Sequence, residues 1–250
     1  MADTFAPAPY LPALALHARP RRVAWQALRQ WQYRLFQRHR YDRLVLEHVG
    51  GAPLLVLPAV FNPKLLHSGE FLAQCLSERQ LPPRASVLDI GTGSGVAAIA
   101  AARWATQVVA VDINPAAVRC ARINVLLRQC EERVAVREGD LFAPVANERF
   151  DIVLFNPPYY RGSPRDALDR AWRSTDVVER FAAELADHLT PGGSALVVLS
   201  TVGETPAFLT AFRQHGLAVA YEATRDLGTE TLLLLRLRPG SDAAGAGRRC

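Results

Sequence analysis

From Ser86 onward, short apolar runs alternate with stretches of helical period. The runs predict strands near 86–90, 107–112, 133–138, 150–155, 194–200, 217–222 and 230–238. The periodic stretches predict helices near 95–104, 115–128, 175–189 and 204–215. Pro115 suits a first helical turn, with Asn114 as its cap. Pro191-Gly192-Gly193 is expected to end a helix and turn the chain into the next strand. Strand–helix alternation implies a mostly parallel sheet covered on both faces. The last two strands lack an intervening helix and are expected to run antiparallel.

Upstream, Val23, Ala27, Leu28, Trp31 and Leu35 form one apolar stripe, predicting a helix from Arg21 to His39. Leu44–Val49 and Leu54–Leu57 flank Gly50-Gly51 and read as a β-hairpin. Pro58 and Pro63 bracket its exit. Ser68–Leu81 is a predicted helix stopped by Pro82-Pro83. Residues 1–19 are expected to be loosely attached and residues 239–250 to fray. The domain expectation is an N-terminal extension at 1–63, a catalytic α/β domain at 64–238 and a tail at 239–250.

The chain is 50% hydrophobic, enough for a full core. No apolar run is long enough to span a bilayer, and Met1–Pro20 does not read as a secretory signal. Cys75, Cys120, Cys130 and Cys250 show no metal-type spacing and read as thiols, so no metal is expected. A reducing cytoplasm fits. The net charge is +5, and Lys64 is the single lysine. Arg19, Arg21, Arg22, Arg29, Arg34, Arg38, Arg40 and Arg43 crowd the first quarter. They read either as a patch for RNA or another anionic partner, or as a solvated helix face.

Two motifs carry chemistry. Val87-Leu88-Asp89-Ile90-Gly91-Thr92-Gly93-Ser94-Gly95 is a strand entering a glycine loop before a helix, a place where N–H groups face a ligand. Such loops serve nicotinamide dinucleotides as well as S-adenosylmethionine. The G-x-G-x-G spacing and the acid two residues before the first glycine favour the latter. Asp89 then orients the methionine ammonium, or alternatively caps the turn. Asp112 holds two ribose hydroxyls, with Ile113 beside it, and Thr92 completes the loop. Asp140 accepts from the adenine amino group and the Leu141 N–H also binds the base; a loop-capping Asp140 is the alternative.

The second motif is Asn156-Pro157-Pro158-Tyr159 after the run Asp151–Phe155. Its prolines make a stiff, acceptor-rich turn. The Asn156 amide oxygen and the Pro157 carbonyl can accept from a planar NH2 group. Pro158, Tyr159 and Tyr160 border that group, with Tyr159 stacking on its plane. The connection Arg161–Ser174 offers Arg161, Arg165, Arg170 and Arg173 to phosphates or acidic protein, and Trp172 to the core or to a base. The six histidines are scattered; His67 falls nearest the site. In a seven-stranded sheet of order 3-2-1-4-5-7-6, the first and fourth strands are neighbours, so the two motifs face each other.

These residues resemble the class I S-adenosylmethionine-dependent methyltransferases, whose fold is a Rossmann-like doubly wound α/β sheet. The Asn-Pro-Pro-Tyr tetrad is similar to the subset acting on glutamine amides or on exocyclic nitrogens of adenine and guanine. The hairpin before Asn62-Pro63 and Ser68-Gly69-Glu70-Phe71-Leu72 resembles the release-factor glutamine methyltransferases and their HemK-like relatives. Those relatives usually carry an acid-Thr pair where this chain has Ser68-Gly69-Glu70, and a larger N-terminal helical domain. The resemblance implies methyl transfer to a protein glutamine, with S-adenosylmethionine as cofactor and a component of translation as a partner; the alternatives are a nucleobase amino group in RNA or DNA, a small molecule or peptide as acceptor, and a non-catalytic cofactor-binding subunit.

Overall fold

A computed structural model of the chain describes residues 43–164 and 169–240. The expected arginine-rich helix, the N-terminal stretch, Arg165 and the tail beyond residue 240 lie outside the described residues. The hairpin forms as expected, with β1 (Val45–Val49) antiparallel to β2 (Ala52–Val56). Two short helices follow, α1 (Pro63–Leu66) and α2 (Ser68–Cys75), separated by His67 at a left-handed φ of 58°. The helix expected to reach Leu81 ends at Cys75. There the Ser77 hydroxyl takes over locally, donating to Gln80 at 2.5 Å and accepting from the Arg79 N–H at 3.3 Å. Such side-chain bonds compete with helix propagation.

The sheet then builds through β3 (Ser86–Ile90), α3 (Val96–Ala101), β4 (Gln107–Asp112), α4 (Pro115–Leu127), β5 (Val134–Glu138) and β6 (Phe150–Phe155). Short β7 (Tyr160–Arg161) and β8 (Arg173–Ser174) pair with each other in the connection that follows. Next come α5 (Val177–Glu184), β9 (Leu189–Ser200), α6 (Thr205–Gln214), β10 (Leu217–Asp226) and β11 (Thr231–Pro239). The seven-stranded sheet runs β10-β11-β9-β6-β3-β4-β5. Counted within that sheet, this is 3-2-1-4-5-7-6. β11 lies antiparallel to both β9 and β10, while the other pairs are parallel.

Both faces of the sheet are packed. Leu88, Ile90, Val109, Val111, Val153 and Phe155 meet Phe181 of α5 and Phe212 of α6 on one side. Val87, Val108, Ala110, Ile152 and Leu154 meet Phe71 of α2 and Ala97 and Ala98 of α3 on the other. The central strands β3, β4 and β6 are therefore covered on both faces, which is why they read as near-continuous apolar runs rather than alternating ones.

Pro191-Gly192-Gly193 does not end a helix. Helix α5 stops at Glu184, a 3-10 turn covers Leu185–His188, and the three residues lie inside β9. They form a bulge: Phe150 pairs with Leu189 but Ile152 pairs with Ser194. A Cβ at Gly193 would stand 2.9 Å from the Phe150 carbonyl oxygen, so only glycine lets the strand rejoin the ladder.

Candidate active site

Two loops leave adjacent strand ends at the same level. Ile90 of β3 and Phe155 of β6 are register partners, so Gly91 and Asn156 are the next residues on neighbouring strands. Ligands in doubly wound sheets sit at such carboxyl ends.

The glycine loop is built for a ligand. Gly91 and Gly93 have φ of 67° and 57°, conformations that cost an L side chain dearly. A Cβ at Gly91 would meet nothing within 4 Å, so the space over it is open. Gly95 differs. Its back lies 3.3 Å from Ala121 of α4, so its missing side chain serves helix packing. The loop is tied to β4 by Thr92 N–H to the Val111 carbonyl at 3.0 Å and Gly93 N–H to Asp112 Oδ2 at 2.8 Å.

Asp89 is buried at the end of β3. Its Oδ2 accepts from the Thr92 hydroxyl at 2.6 Å and from the Ala98 N–H at 3.1 Å. Gly95 at the N-cap of α3 has no side chain, and Asp89 caps the helix in its place. The capping alternative is thus part of its work. Burial pushes its carboxyl up to about 7, against the bonds from Thr92 and Ala98. An adjacent ammonium group would restore its charge.

Asp112 uses Oδ2 for Gly93 and Oδ1 for the Asn114 N–H at 2.9 Å, and burial raises its carboxyl too. The Ile113 N–H also supports the carboxylate, which retains acceptor capacity for a hydroxyl donor. Ile113 beside it leaves its side chain 42% exposed, an apolar surface next to the ribose position. Asp140 pairs with Arg180 of α5 at 2.7 Å. Leu141 has its side chain in the core and φ of 47°, leaving only its backbone for a base. These donors and acceptors fit S-adenosylmethionine: carboxylates for an ammonium and a diol, an open glycine turn, and an apolar flank.

In the tetrad, Pro157 is buried and Asn156, Pro158 and Tyr159 are half-buried, as is Tyr160 after it. Asn156 Nδ2 donates to the Ser68 hydroxyl at 3.1 Å, and Asn156 Oδ1 accepts from the Tyr159 hydroxyl at 2.9 Å. Tyr159 thus touches the amide itself, where stacking alone was expected. Burial keeps its phenol above the ordinary value, so it remains a donor. The Tyr159 carbonyl accepts from the Glu204 N–H at 3.1 Å, and Gly203 has no room for a Cβ against it. Tyr160 lies under the Arg173 guanidinium at 5.8 Å. Trp172 packs on Phe61 at 5.6 Å, anchoring the loop rather than reaching for a base. His67 is exposed at the helix break.

Asn124 and Gly203 were not singled out by pattern, and Ser68 entered only through the family resemblance, with no role at the site. Asn124 is an apolar-face position on α4 occupied by an amide, and that mismatch was the available signal. Among the described residues no group of His, Cys, Asp and Glu could hold a metal ion, and no helix is long and apolar enough to cross a membrane.

A glycine loop after the first strand, an acid after the second and an acceptor tetrad after the fourth define an S-adenosylmethionine-dependent methyltransferase. Comparison with known proteins agrees. The methyltransferase small domain matches residues 52–223, and the chain belongs to that family. A release factor glutamine methyltransferase of Geobacter sulfurreducens is 31% identical over 198 residues, 73% of this chain and 68% of its own length. A ribosomal protein uL3 glutamine methyltransferase of Bradyrhizobium diazoefficiens is 39% identical over 124 residues, 44% of this chain and 39% of its own. The T. thermophilus 16S rRNA N2 G1207 methyltransferase, solved with AdoMet and guanosine, shares the fold with a TM-score of 0.59 at 22% identity. That match covers 78% of this chain and 50% of that one.

Proposed function

We propose that this enzyme methylates a planar NH2 nitrogen, with a protein glutamine side chain as the acceptor. The observation that carries the reading is the Asn156 amide, half-buried at the end of β6 beside the glycine loop of β3. Its Oδ1 has one donor, Tyr159, and an amide oxygen has two lone pairs. The second is left for an acceptor N–H, and the Pro157 carbonyl can take the other.

S-adenosylmethionine supplies an electrophilic methyl group. An amide nitrogen is a weak nucleophile because its lone pair is delocalised. Held by two acceptors, it is oriented before reaction. As positive charge develops on it, Asn156 Oδ1 and the Pro157 carbonyl bind its protons more strongly, which favours the transition state over the ground state. The surplus proton leaves to solvent afterwards, so no base at the nitrogen is needed.

A nucleobase amino group would satisfy the same acceptors and is the second reading, supported by the arginines crowded before residue 44. The arginines beside the tetrad favour protein. Arg161 is engaged by Glu179 and by Glu204 at 3.2 Å, and Arg173 by Asp169 at 3.6 Å. Cations already compensated by carboxylates are poor phosphate contacts.

The deciding test incubates purified protein with methyl-labelled S-adenosylmethionine and cell extract, then divides the product between protease and nuclease. Label released by protease and recovered as N-methylglutamine is expected. Label released only by nuclease would move the acceptor to a base.

A further inference from the structure

Ser68 stands outside both motifs, at the first turn of α2, yet its side chain meets the tetrad 88 residues away. It is completely buried. Its Oγ accepts from Asn156 Nδ2 at 3.1 Å while the Tyr159 hydroxyl donates to Asn156 Oδ1 at 2.9 Å. The amide is thus held at both ends by hydroxyls from two different elements. Since the Ser68 oxygen is accepting from Asn156, its own proton points away from the amide. The three groups form a chain in which Tyr159 donates to Asn156 and Asn156 donates to Ser68.

The sense of that chain matters. A phenol is a better donor and poorer acceptor than an aliphatic hydroxyl. Tyrosine donating to Oδ1 and serine accepting from Nδ2 is therefore the arrangement both hydroxyls prefer. The reverse amide rotamer would present an NH2 group where the incoming NH2 needs an oxygen, setting donor against donor.

The turn carrying Ser68 is itself fixed. His67 breaks the chain in a left-handed conformation. A Cβ on Gly69 would stand 3.0 Å from Pro63 Cβ, and Glu70 pairs with Lys64 at 2.9 Å. The hydroxyl is held where the amide needs it rather than reaching for it from a mobile segment.

We infer that Ser68 is a positioning residue, locking the Asn156 amide with its oxygen in place for the methyl acceptor. The inference rests on the reading of Asn156 as the acceptor's partner. Without the hydroxyl, Nδ2 loses its partner in a half-buried site and the amide turns about its last side-chain bond.

The test uses the full chain and two variants, Ser68→Ala and Ser68→Thr. The side-chain NH2 signals of Asn156 are identified in the 15N–1H spectrum as the pair absent from Asn156→Ala. In Ser68→Ala that pair should shift and its hydrogen exchange should quicken about tenfold, with S-adenosylmethionine affinity within about twofold of wild type. Methyl transfer into cell extract should slow about tenfold to a hundredfold at saturating cofactor, the scale of a lost alignment. Ser68→Thr should restore both. An Asn156 signal unmoved in Ser68→Ala overturns the inference. So does equal loss of cofactor binding and transfer, which would mark Ser68 as scaffold only. If wild type labels nothing in the extract, the proposed acceptor chemistry fails, and the amide signal still decides whether Ser68 holds Asn156.

Discussion

The side chain of Asn124 takes both main-chain groups of Leu55: its Oδ1 accepts from the Leu55 N–H at 2.8 Å and its Nδ2 donates to the Leu55 carbonyl at 2.7 Å. The same Nδ2 donates to the Ser94 carbonyl at 2.8 Å. One fully buried amide on α4 therefore ties the hairpin to the glycine loop. Asn114 adds a second tie, donating to the Ala59 carbonyl at 2.9 Å. The hairpin and the segment after it are fastened to the glycine loop and α4.

Asn124→Ala should deprive the Leu55 N–H and the Ser94 carbonyl of this partner and leave the Leu55 carbonyl with the Cys120 thiol at 3.3 Å. At roughly 1–3 kcal/mol for a buried group left unsatisfied, partly relieved by water, a loss of about 2–4 kcal/mol is expected. Urea unfolding measures it. Cofactor affinity should fall as well, because the Ser94 carbonyl belongs to the loop that holds the ligand. Unchanged stability would show that the hairpin is not anchored here.

Asn156→Ala should separate binding from chemistry. The glycine loop, Asp89 and Asp112 do not use Asn156 as a hydrogen-bond partner. Calorimetric affinity for S-adenosylmethionine should stay within about threefold. Methyl transfer should fall at least about a hundredfold, the usual scale for removing one preorganised polar partner. Retained transfer would remove the role assigned to this amide.

Asp89 gives the pH dependence its sign. Its carboxyl titrates at about 7 in the folded protein against 3.8 ordinarily. Between those values the native state holds a proton that the unfolded chain has lost. Ionisation of Asp89 therefore opposes folding progressively as pH rises from about 4, and the cost is complete above about 7. Cofactor binding responds oppositely, since its ammonium needs the carboxylate: affinity should rise with pH through 7. Asp89→Asn, with its amide oxygen facing Thr92 and Ala98, should flatten the stability profile and weaken S-adenosylmethionine binding about tenfold or more. Thermal unfolding and calorimetry across pH 5–9 check both.

Gly203→Ala should disturb the tetrad from behind. The added methyl would stand 2.9 Å from Tyr159 Cβ and 3.0 Å from its carbonyl oxygen. Overpacking of this kind costs about 1–3 kcal/mol. The expected result is a lower melting temperature and slower transfer with cofactor affinity unchanged. Full activity would show that Tyr159 can move without consequence for Asn156.

The strands were legible because a parallel sheet buried on both faces demands uninterrupted apolar residues, and Gln107–Asp112 and Phe150–Phe155 formed with the expected bounds. Cap chemistry was equally local: Asn114 accepts from the Ala116 N–H at 3.0 Å. Errors fell where long-range pairing overrode local signals. Pro191-Gly192-Gly193 has the composition of a turn, yet the neighbouring strand β6 draws it into the sheet as a bulge.

Sequence alone determined where the candidate motifs lie, because a glycine turn, a strand-end carboxylate and a stiff Asn-Pro-Pro turn are each specified by the conformations their own side chains allow. What only the tertiary structure decided is how those residues are held. Ser68 reaching Asn156 and Asn124 gripping Leu55 are contacts between segments, and Tyr159 turning its hydroxyl onto the amide is a choice of side-chain packing within the tetrad. Two of them join residues 69 or more positions apart, and no periodicity along the chain encodes a hydrogen bond across that distance.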